Sequence, residues 1–356
     1  MASSISNAPR ESHTVHHHEL LDITSLKDLP ESYAWKGFDR FPMKDSTAPV
    51  TIPVIDLADP KAIELIGHAC KTWGTFQVTN HGIQKKLLDD VEKASRELFA
   101  LPMEQKLKVS ETAGGLPGYG QARIASCFAQ KMWSEGFTVY GSPLEHFRQL
   151  WPEDYSKYCD LYEEYEKQMR KLAAKLLWLS LGSLGISKSD IDWAGQTGEF
   201  ETRSAAIRLN SYPSCPDPDR AVGLAPHTDS SIITILHQST VGLKVLREET
   251  GWVLVPVVPD ALVVNVGDFL HILSNGLYPS VTHQVVVNRT QHRLTVAYFY
   301  GSPPEVKVSP LSKLVGPCET PLYRSITWQE YLIHKSQDPY SALSKIRSSA
   351  PFNGSG

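Results

Sequence analysis

Two kinds of hydrophobic spacing divide the chain. Up to about residue 200, helical stretches alternate with a few short strands. The run Ile52-Pro53-Val54-Ile55-Asp56-Leu57 predicts a strand, residues 62–71 a helix, and Thr75-Phe76-Gln77-Val78 a second strand turning at Asn80-His81-Gly82. A helix over 84–100 stops before Pro102, and His81, set in its turn, reads as a structural residue rather than a ligand. Over 158–184, Leu161, Tyr165, Leu172, Leu176 and Leu179 recur at helical spacing while Glu163, Glu164, Lys167 and Lys171 face away, as in a scaffold helix laid on a sheet. From about Arg203 the pattern changes to short apolar runs at 206–210, 232–236, 242–246, 252–255, 262–266, 280–288 and 293–300. Pro213, Gly223, Gly251, Pro259 and Gly267 punctuate them, which is how a β-sandwich or jelly roll reads.

The predicted fold is therefore mainly β with flanking helices. Residues 1–50, with Pro30, Pro42 and Pro49 and little periodicity, form an arm. Residues 51–200 form a mixed α/β region, 201–303 a double-stranded β-helix (jelly-roll) core, and 304–356 a tail with a helix over 328–335. With 356 residues, 41% of them hydrophobic, the chain can bury a large core.

Charge and cysteine usage narrow the function classes. A net charge of −4 leaves no electrostatic footprint for nucleic acid, and no apolar run reaches the length of a membrane span, so the expected partner is a small molecule met by a monomer. Cys70, Cys127, Cys159, Cys215 and Cys318 are odd in number and scattered, which suits thiols in a reducing compartment. Met1 to Arg10 lacks the basic-then-apolar pattern of a secretory signal, so a cytoplasmic location is expected.

Candidate chemistry lies in the β region. With 13 histidines and 39 acids in 356 residues, one or two His-x-acid pairs arise by chance, and two occur. His17-x-Glu19 belongs to a His-rich tract, His16 to His18, with no apolar periodicity behind it, and reads as a solvated or weakly metal-binding tail. His227-x-Asp229 stands on an extended segment where residues i and i+2 point the same way, and His283 follows on another predicted strand. Nitrogen and oxygen ligands without thiolate suit iron, zinc or copper; two histidines and a carboxylate with open positions is the arrangement of non-haem Fe(II) oxygenases. Arg293 and Thr295 share one strand face by the same period, so a guanidinium and a hydroxyl can converge on one carboxylate.

At this point the chain resembles the plant 2-oxoglutarate- and Fe(II)-dependent dioxygenases. The likeness runs through Ile52 to Leu57, Gly74-Thr75-Phe76-Gln77-Val78-Thr79-Asn80-His81-Gly82, Asn210-Ser211-Tyr212-Pro213, His227-Thr228-Asp229, His283 and Arg293-Leu294-Thr295. It implies Fe(II) held by His227, Asp229 and His283, with 2-oxoglutarate as co-substrate, O2 as oxidant and ascorbate as a stimulant. It also implies that Arg293 and Thr295 hold the far carboxylate of 2-oxoglutarate, with Tyr212 beside it. The family usually has serine where Thr295 stands; the hydroxyl is kept and a methyl is added. The segments 118–126, 132–138 and 141–144 are more selective than the iron motif. They resemble the branch that oxidises gibberellins, within it the 3-beta-hydroxylating group, although Pro226 stands where that group has alanine. The implied reaction is hydroxylation of an unactivated C–H bond on an apolar tetracyclic acid, with release of succinate and CO2. Tyr119, Arg123, Trp133 and Phe299 are the candidate substrate contacts, Arg123 as the clamp for the acid; a packing role for Trp133 weighs equally.

Other readings stay open on the residues alone. A gibberellin 2- or 20-oxidase or a flavonoid hydroxylase would share the four central residues, and an ascorbate-using relative that forms ethylene would not consume 2-oxoglutarate. A non-catalytic metal-binding jelly roll has no use for Arg293.

Overall fold

The computed structural model describes residues 22–37, 51–111, 117–194 and 205–348. The His16–Glu19 tract and most of the expected arm lie outside them. The first strand, β1 (Val54–Asp56), pairs in parallel with β2 (Thr75–Thr79), and α1 (Ala62–Thr72) makes the crossover. Asn80 at φ 50° and Gly82 at φ 86° turn the chain out of β2 into α2 (Lys85–Ala100). In that turn His81 is structural: its Nδ1 accepts from the Ile83 amide at 3.1 Å and its Nε2 donates to the Asp260 carbonyl at 3.1 Å.

Short helix α3 (Met103–Leu107) leads to β3 (Gly118–Gly120), β4 (Glu135–Tyr140), α4 (Leu144–Leu150) and the long α5 (Tyr155–Gly182). The β region then supplies β5 (Ala205–Tyr212), β6 (Leu224–His227), β7 (Ile233–Gln238), β8 (Leu243–Arg247), β9 (Gly251–Leu254) and β10 (Leu262–Val266). After α6 (Asp268–Leu273) come β11 (His283–Val285) and β12 (Arg293–Tyr300), and α7 (Trp328–Gln337) and α8 (Ala342–Lys345) end the described chain.

These strands make a jelly roll of two sheets. The larger has the order β1-β2-β10-β7-β12-β5-β4-β3, the smaller β6-β11-β8-β9. Strands from both sides of the expected 200/201 boundary share the larger sheet, because β4 pairs antiparallel with β5 from Glu135↔Ser211 to Tyr140↔Ala206. Period-two alternation gives each central strand two destinations. On β12, Leu294, Val296, Tyr298 and Tyr300 pack into the main core with the α1, α2 and α5 stripes, including Ile66, Leu98, Tyr162, Tyr165 and Leu176. Ala297 and Phe299 turn the other way, into a second cluster between the sheets with Tyr212, Val245, Val253 and Val263. The helices thus seal one face of the larger sheet and leave the other to build a site. No described helix is long and apolar enough to cross a membrane.

The predicted strand over 280–288 shortens to His283–Val285, where a register irregularity interrupts pairing with β6. Strand β6 itself escapes sequence patterning: four residues, one a proline, just after Gly223.

Candidate active site

The smaller sheet sets two histidines face to face. His227 closes β6 and His283 opens β11, and the antiparallel register pairs them directly, with ring centroids 4.2 Å apart. His227 Nδ1 lies 2.9 Å from the Ala225 carbonyl and His283 Nδ1 3.1 Å from the Val281 carbonyl. A carbonyl only accepts, so each Nδ1 carries a proton and each Nε2 is the nitrogen turned towards Asp229. Asp229, just beyond β6, brings Oδ1 to 3.6 Å from both Nε2 atoms, too far for hydrogen bonds. All three side chains are buried, and one donor atom from each falls within 4.8 Å of the others. Burial, reinforced by His283 and partly opposed by Asp229, pushes His227 down to about 3, so its imidazole is neutral at pH 7.

The second carboxylate oxygen of Asp229 is buried without a hydrogen-bond partner. Such an oxygen is costly to bury unless a cation meets it. Two imidazole Nε2 atoms and this carboxylate make a donor set suited to Fe(II).

A second polar group lies on the larger sheet. Arg293 and Thr295 point to the same face of β12, opposite Tyr212 and Asn210 of β5 in the register. Arg293 is almost fully buried; its Nε donates to the Thr240 carbonyl at 3.0 Å and its Nη2 to Gln238 Oε1 at 3.0 Å. Its Nη1 is buried with no partner, and the guanidinium carbon sits 5.2 Å from the Tyr212 ring centre. Burial lowers Arg293 to about 10, which still leaves it charged at pH 7, while burial raises the Tyr212 hydroxyl against the pull of Arg293. Thr295 Oγ1 accepts from Asn210 Nδ2 at 3.3 Å and lies beside the Tyr212 hydroxyl. A charged N–H with no partner, beside two hydroxyls, is suited to a carboxylate.

Beside His227 and Asp229 opens a cavity of about 1200 Å³ of empty space, counting its mouth. His227, Asp229, Leu224 and Phe299 line it from the sheets, Arg123, Ile124 and Cys127 from the short 3-10 helix Arg123–Cys127, and Trp328, Leu332, Lys335 and Ser336 from α7. Asn210, cross-strand partner of Thr295, lies on its wall, whereas Arg293, Thr295, Tyr212 and His283 do not line it.

Of the four expected substrate contacts, Arg123 and Phe299 line the cavity; Tyr119 and Trp133 do not. Tyr119 lies between Gly118 and Gly120 on β3, and the strand alternation sends its ring into the main core, where Lys106 Nζ sits 5.3 Å from its centre. Trp133 is fully buried in a separate cluster with Ile23, Tyr33 and Cys215, and its Nε1 donates to the Pro213 carbonyl at 3.2 Å. Its role is packing. Residues that sequence reasoning missed are Gln238 and Thr240, which hold the guanidinium, and Arg208, whose Nη1 meets Glu111 at 2.7 Å on the cavity wall. Only their fold neighbours mark them out; they carry no motif of their own.

Comparison with known proteins agrees with this geometry. The family model described as the 2OG-Fe(II) oxygenase superfamily matches residues 203–302, and the non-haem dioxygenase in morphine synthesis N-terminal model matches 52–154. The chain is 54% identical to gibberellin 3-beta-dioxygenase 1 of Pisum sativum over 99% of its own length and 96% of the relative's. It is 52% identical to gibberellin 3-beta-dioxygenase 2 of Arabidopsis thaliana over 98% of its length and 100% of the relative's. Among solved structures, JOX2 in complex with 2OG, Fe and JA superposes with a TM-score of 0.78 at 31% identity, over 91% of this chain and 95% of that one.

Proposed function

The chain belongs to the 2OG-Fe(II) oxygenase superfamily, and we propose that it hydroxylates gibberellin precursors at the 3β position to give the bioactive hormones. It is a 2-oxoglutarate-dependent dioxygenase that uses Fe(II), 2-oxoglutarate and O2. The observation that carries the site assignment is the pair of orphaned buried groups, Asp229 Oδ2 and Arg293 Nη1, one wanting a cation and the other an anion.

In this reading His227, Asp229 and His283 hold Fe(II), and Arg293 with Thr295 holds the far carboxylate of 2-oxoglutarate beside Tyr212. Fe(II) with 2-oxoglutarate and O2 supplies the oxidising equivalent that puts one oxygen atom into a C–H bond and the other into succinate, with loss of CO2. The protein's own work is placement. The Nδ1 bonds to Ala225 and Val281 fix both imidazole planes before any metal arrives. Gln238 and Thr240 fix the guanidinium, so an incoming carboxylate finds a donor already oriented. Apolar walls of Ile124, Leu224, Phe299, Trp328 and Leu332 suit a tetracyclic hydrocarbon skeleton and exclude water, and Arg123, a cation on the same lining, supports the reading that it meets the carboxylate. The unpaired thiols Cys70, Cys127, Cys159, Cys215 and Cys318 support a cytoplasmic location.

The test is incubation of the purified protein with labelled gibberellin precursors, Fe(II), 2-oxoglutarate and ascorbate, with products identified by mass spectrometry. A 3β-hydroxylated product with stoichiometric succinate is expected, and His227→Ala should abolish it. A hydroxyl placed only at another ring position would remove the 3β assignment and leave the family assignment standing.

A further inference from the structure

Helix α7 directs a set of polar side chains inward, at the turn that carries His227 and Asp229. Trp328, Tyr331 and Lys335 lie three and four residues apart along it and share one face. Trp328 Nε1 donates to the Ser230 carbonyl at 3.1 Å, and the Tyr331 hydroxyl donates to Asp268 Oδ2 at 2.7 Å. The Lys335 ammonium donates to the same carboxylate oxygen at 2.6 Å and to the hydroxyl of Thr228, the residue between His227 and Asp229. Thr228 in turn donates to Asp268 Oδ2 at 3.1 Å. Asp268 is fully buried and Lys335 nearly so.

The main chain of the metal-bearing turn has a separate anchor. The amides of Gly267, Asp268 and Phe269 donate to the carbonyls of Ile232, Asp229 and Ser231 at 3.0, 2.8 and 3.1 Å. The approach is so close that a Cβ on Gly267 would lie 2.1 Å from the Ser231 carbonyl oxygen. These bonds do not involve α7. To the Trp328 and Tyr331 bonds Lys335 adds a charged link between that turn and the helix that forms one wall of the cavity through Trp328, Leu332, Lys335 and Ser336. Stability alone does not account for such a link, because a well-packed apolar pair of similar volume often holds a fold as well as a buried ion pair does.

We propose that Lys335 is a positioning residue for the hydroxylation. Its ion pair with Asp268 keeps α7 in fixed register with the metal-bearing turn, so that a substrate resting on the helix presents one C–H bond to the metal. This rests on the functional reading above. Loss of the link leaves the metal and 2-oxoglutarate sites formed, held by their own strands and by the 267–269 amides, but lets the substrate wall shift.

The experiment compares the holoenzyme with Lys335→Met, Lys335→Arg and the double variant Lys335→Met/Asp268→Asn. It measures hydroxylated gibberellin per succinate, KM for the gibberellin, Kd for Fe(II) and 2-oxoglutarate, melting temperature, and amide exchange in α7. For Lys335→Met the product per succinate should fall about threefold or more and the gibberellin KM rise about tenfold, with both Kd values within about threefold. Lys335→Arg should stay near wild type. The double variant, with no lone buried carboxylate, should recover melting temperature but not the product ratio, whereas a purely structural role would recover both. An unchanged ratio in Lys335→Met, or its restoration in the double variant, overturns the proposal. Should the wild type hydroxylate no gibberellin, the functional reading falls and exchange decides: α7 amides of Lys335→Met in the Fe(II)- and 2-oxoglutarate-loaded protein should exchange about tenfold faster, and equal exchange overturns the positioning role.

Discussion

Replacing Arg293 by leucine should damage 2-oxoglutarate binding and little else in the site. Nε and Nη2 are committed to Thr240 and Gln238, so the group left for a carboxylate is chiefly Nη1, with one charge-assisted hydrogen bond to give. Such a bond is worth about 1.5–3 kcal/mol, or about 10- to 150-fold in Kd at roughly 1.4 kcal/mol per tenfold. The carboxylate held is remote from the reacting bond, so the loss is the same in ground and transition states. KM for 2-oxoglutarate should therefore rise by that factor while kcat at saturating 2-oxoglutarate stays close to wild type. Fe(II) affinity should not change, because the metal ligands stand on the other sheet and its flanking turn. Leucine also leaves the Thr240 carbonyl and Gln238 Oε1 unpaired, a folding cost offset in part by no longer burying a guanidinium; Arg293→Lys, which keeps charge but loses the fork, separates the two and should fall between wild type and leucine. Steady-state succinate release against 2-oxoglutarate concentration, with a melting curve for each variant, measures both. A leucine variant that melts normally and keeps its 2-oxoglutarate KM within about threefold would refute the assignment of Arg293 as the clamp.

Three further outcomes follow from the same geometry. Arg123→Ala should raise the KM for the gibberellin acid about tenfold or more and leave the 2-oxoglutarate KM unchanged; an unchanged gibberellin KM would remove Arg123 as the acid's partner. Thr295→Ser keeps the hydroxyl and deletes one buried methyl, so it should lower stability by about 1 kcal/mol, read as a drop in melting temperature, with the 2-oxoglutarate KM within about threefold. The apo protein should lose stability as pH falls below about 6.5. Burial is the main force lowering His271, reinforced by Arg347 and opposed by the Tyr278 carbonyl and Asp268; its Nδ1 donates to Tyr278 and its Nε2 accepts from Tyr323. Below the unfolded-state pKa the unfolded chain takes up a proton that the folded imidazole refuses, which adds up to about 1.4 kcal/mol of destabilisation per pH unit until the folded value is reached. His271→Gln should make that slope shallower without abolishing it, since His227 refuses a proton over the same range, in denaturant titrations between pH 7.5 and 5.5; an unchanged slope would show that His271 does not contribute.

Much of this site was legible because its residues obey strand parity. His227 and Asp229, and Arg293 and Thr295, are each two apart, and that spacing alone predicts convergence whatever the rest of the fold does. The same rule explains the failure at Tyr119. It belongs to a selective segment, but its glycine neighbours occupy the other strand parity, and no single-sequence signal says which parity faces the cavity. For Trp133 both roles stayed open for a different reason, since a tryptophan with a satisfied indole N–H looks identical in sequence whether it lines a pocket or fills a core. The Lys335–Asp268 pair was invisible. It joins residues 67 apart, and the lysine reads as the solvated face of an ordinary C-terminal helix until the fold buries it.

The two halves of the chemistry sit on different sheets, and this decides what holds the site together. The metal ligands stand on or beside β6 and β11 of the smaller sheet, while Arg293 and Thr295 stand on β12 of the larger one. Neither sheet can build the site alone. Their separation is set by the apolar cluster between them, with Val245, Val253, Val263, Val281 and Tyr212, and by the segment from β10 to α6, which crosses from the larger sheet to the metal-bearing turn. A cavity made in that cluster, as by Val263→Ala, should therefore act differently from a loss at either polar group. It should weaken 2-oxoglutarate and Fe(II) together at some distance from both, because it changes the spacing and not the donors.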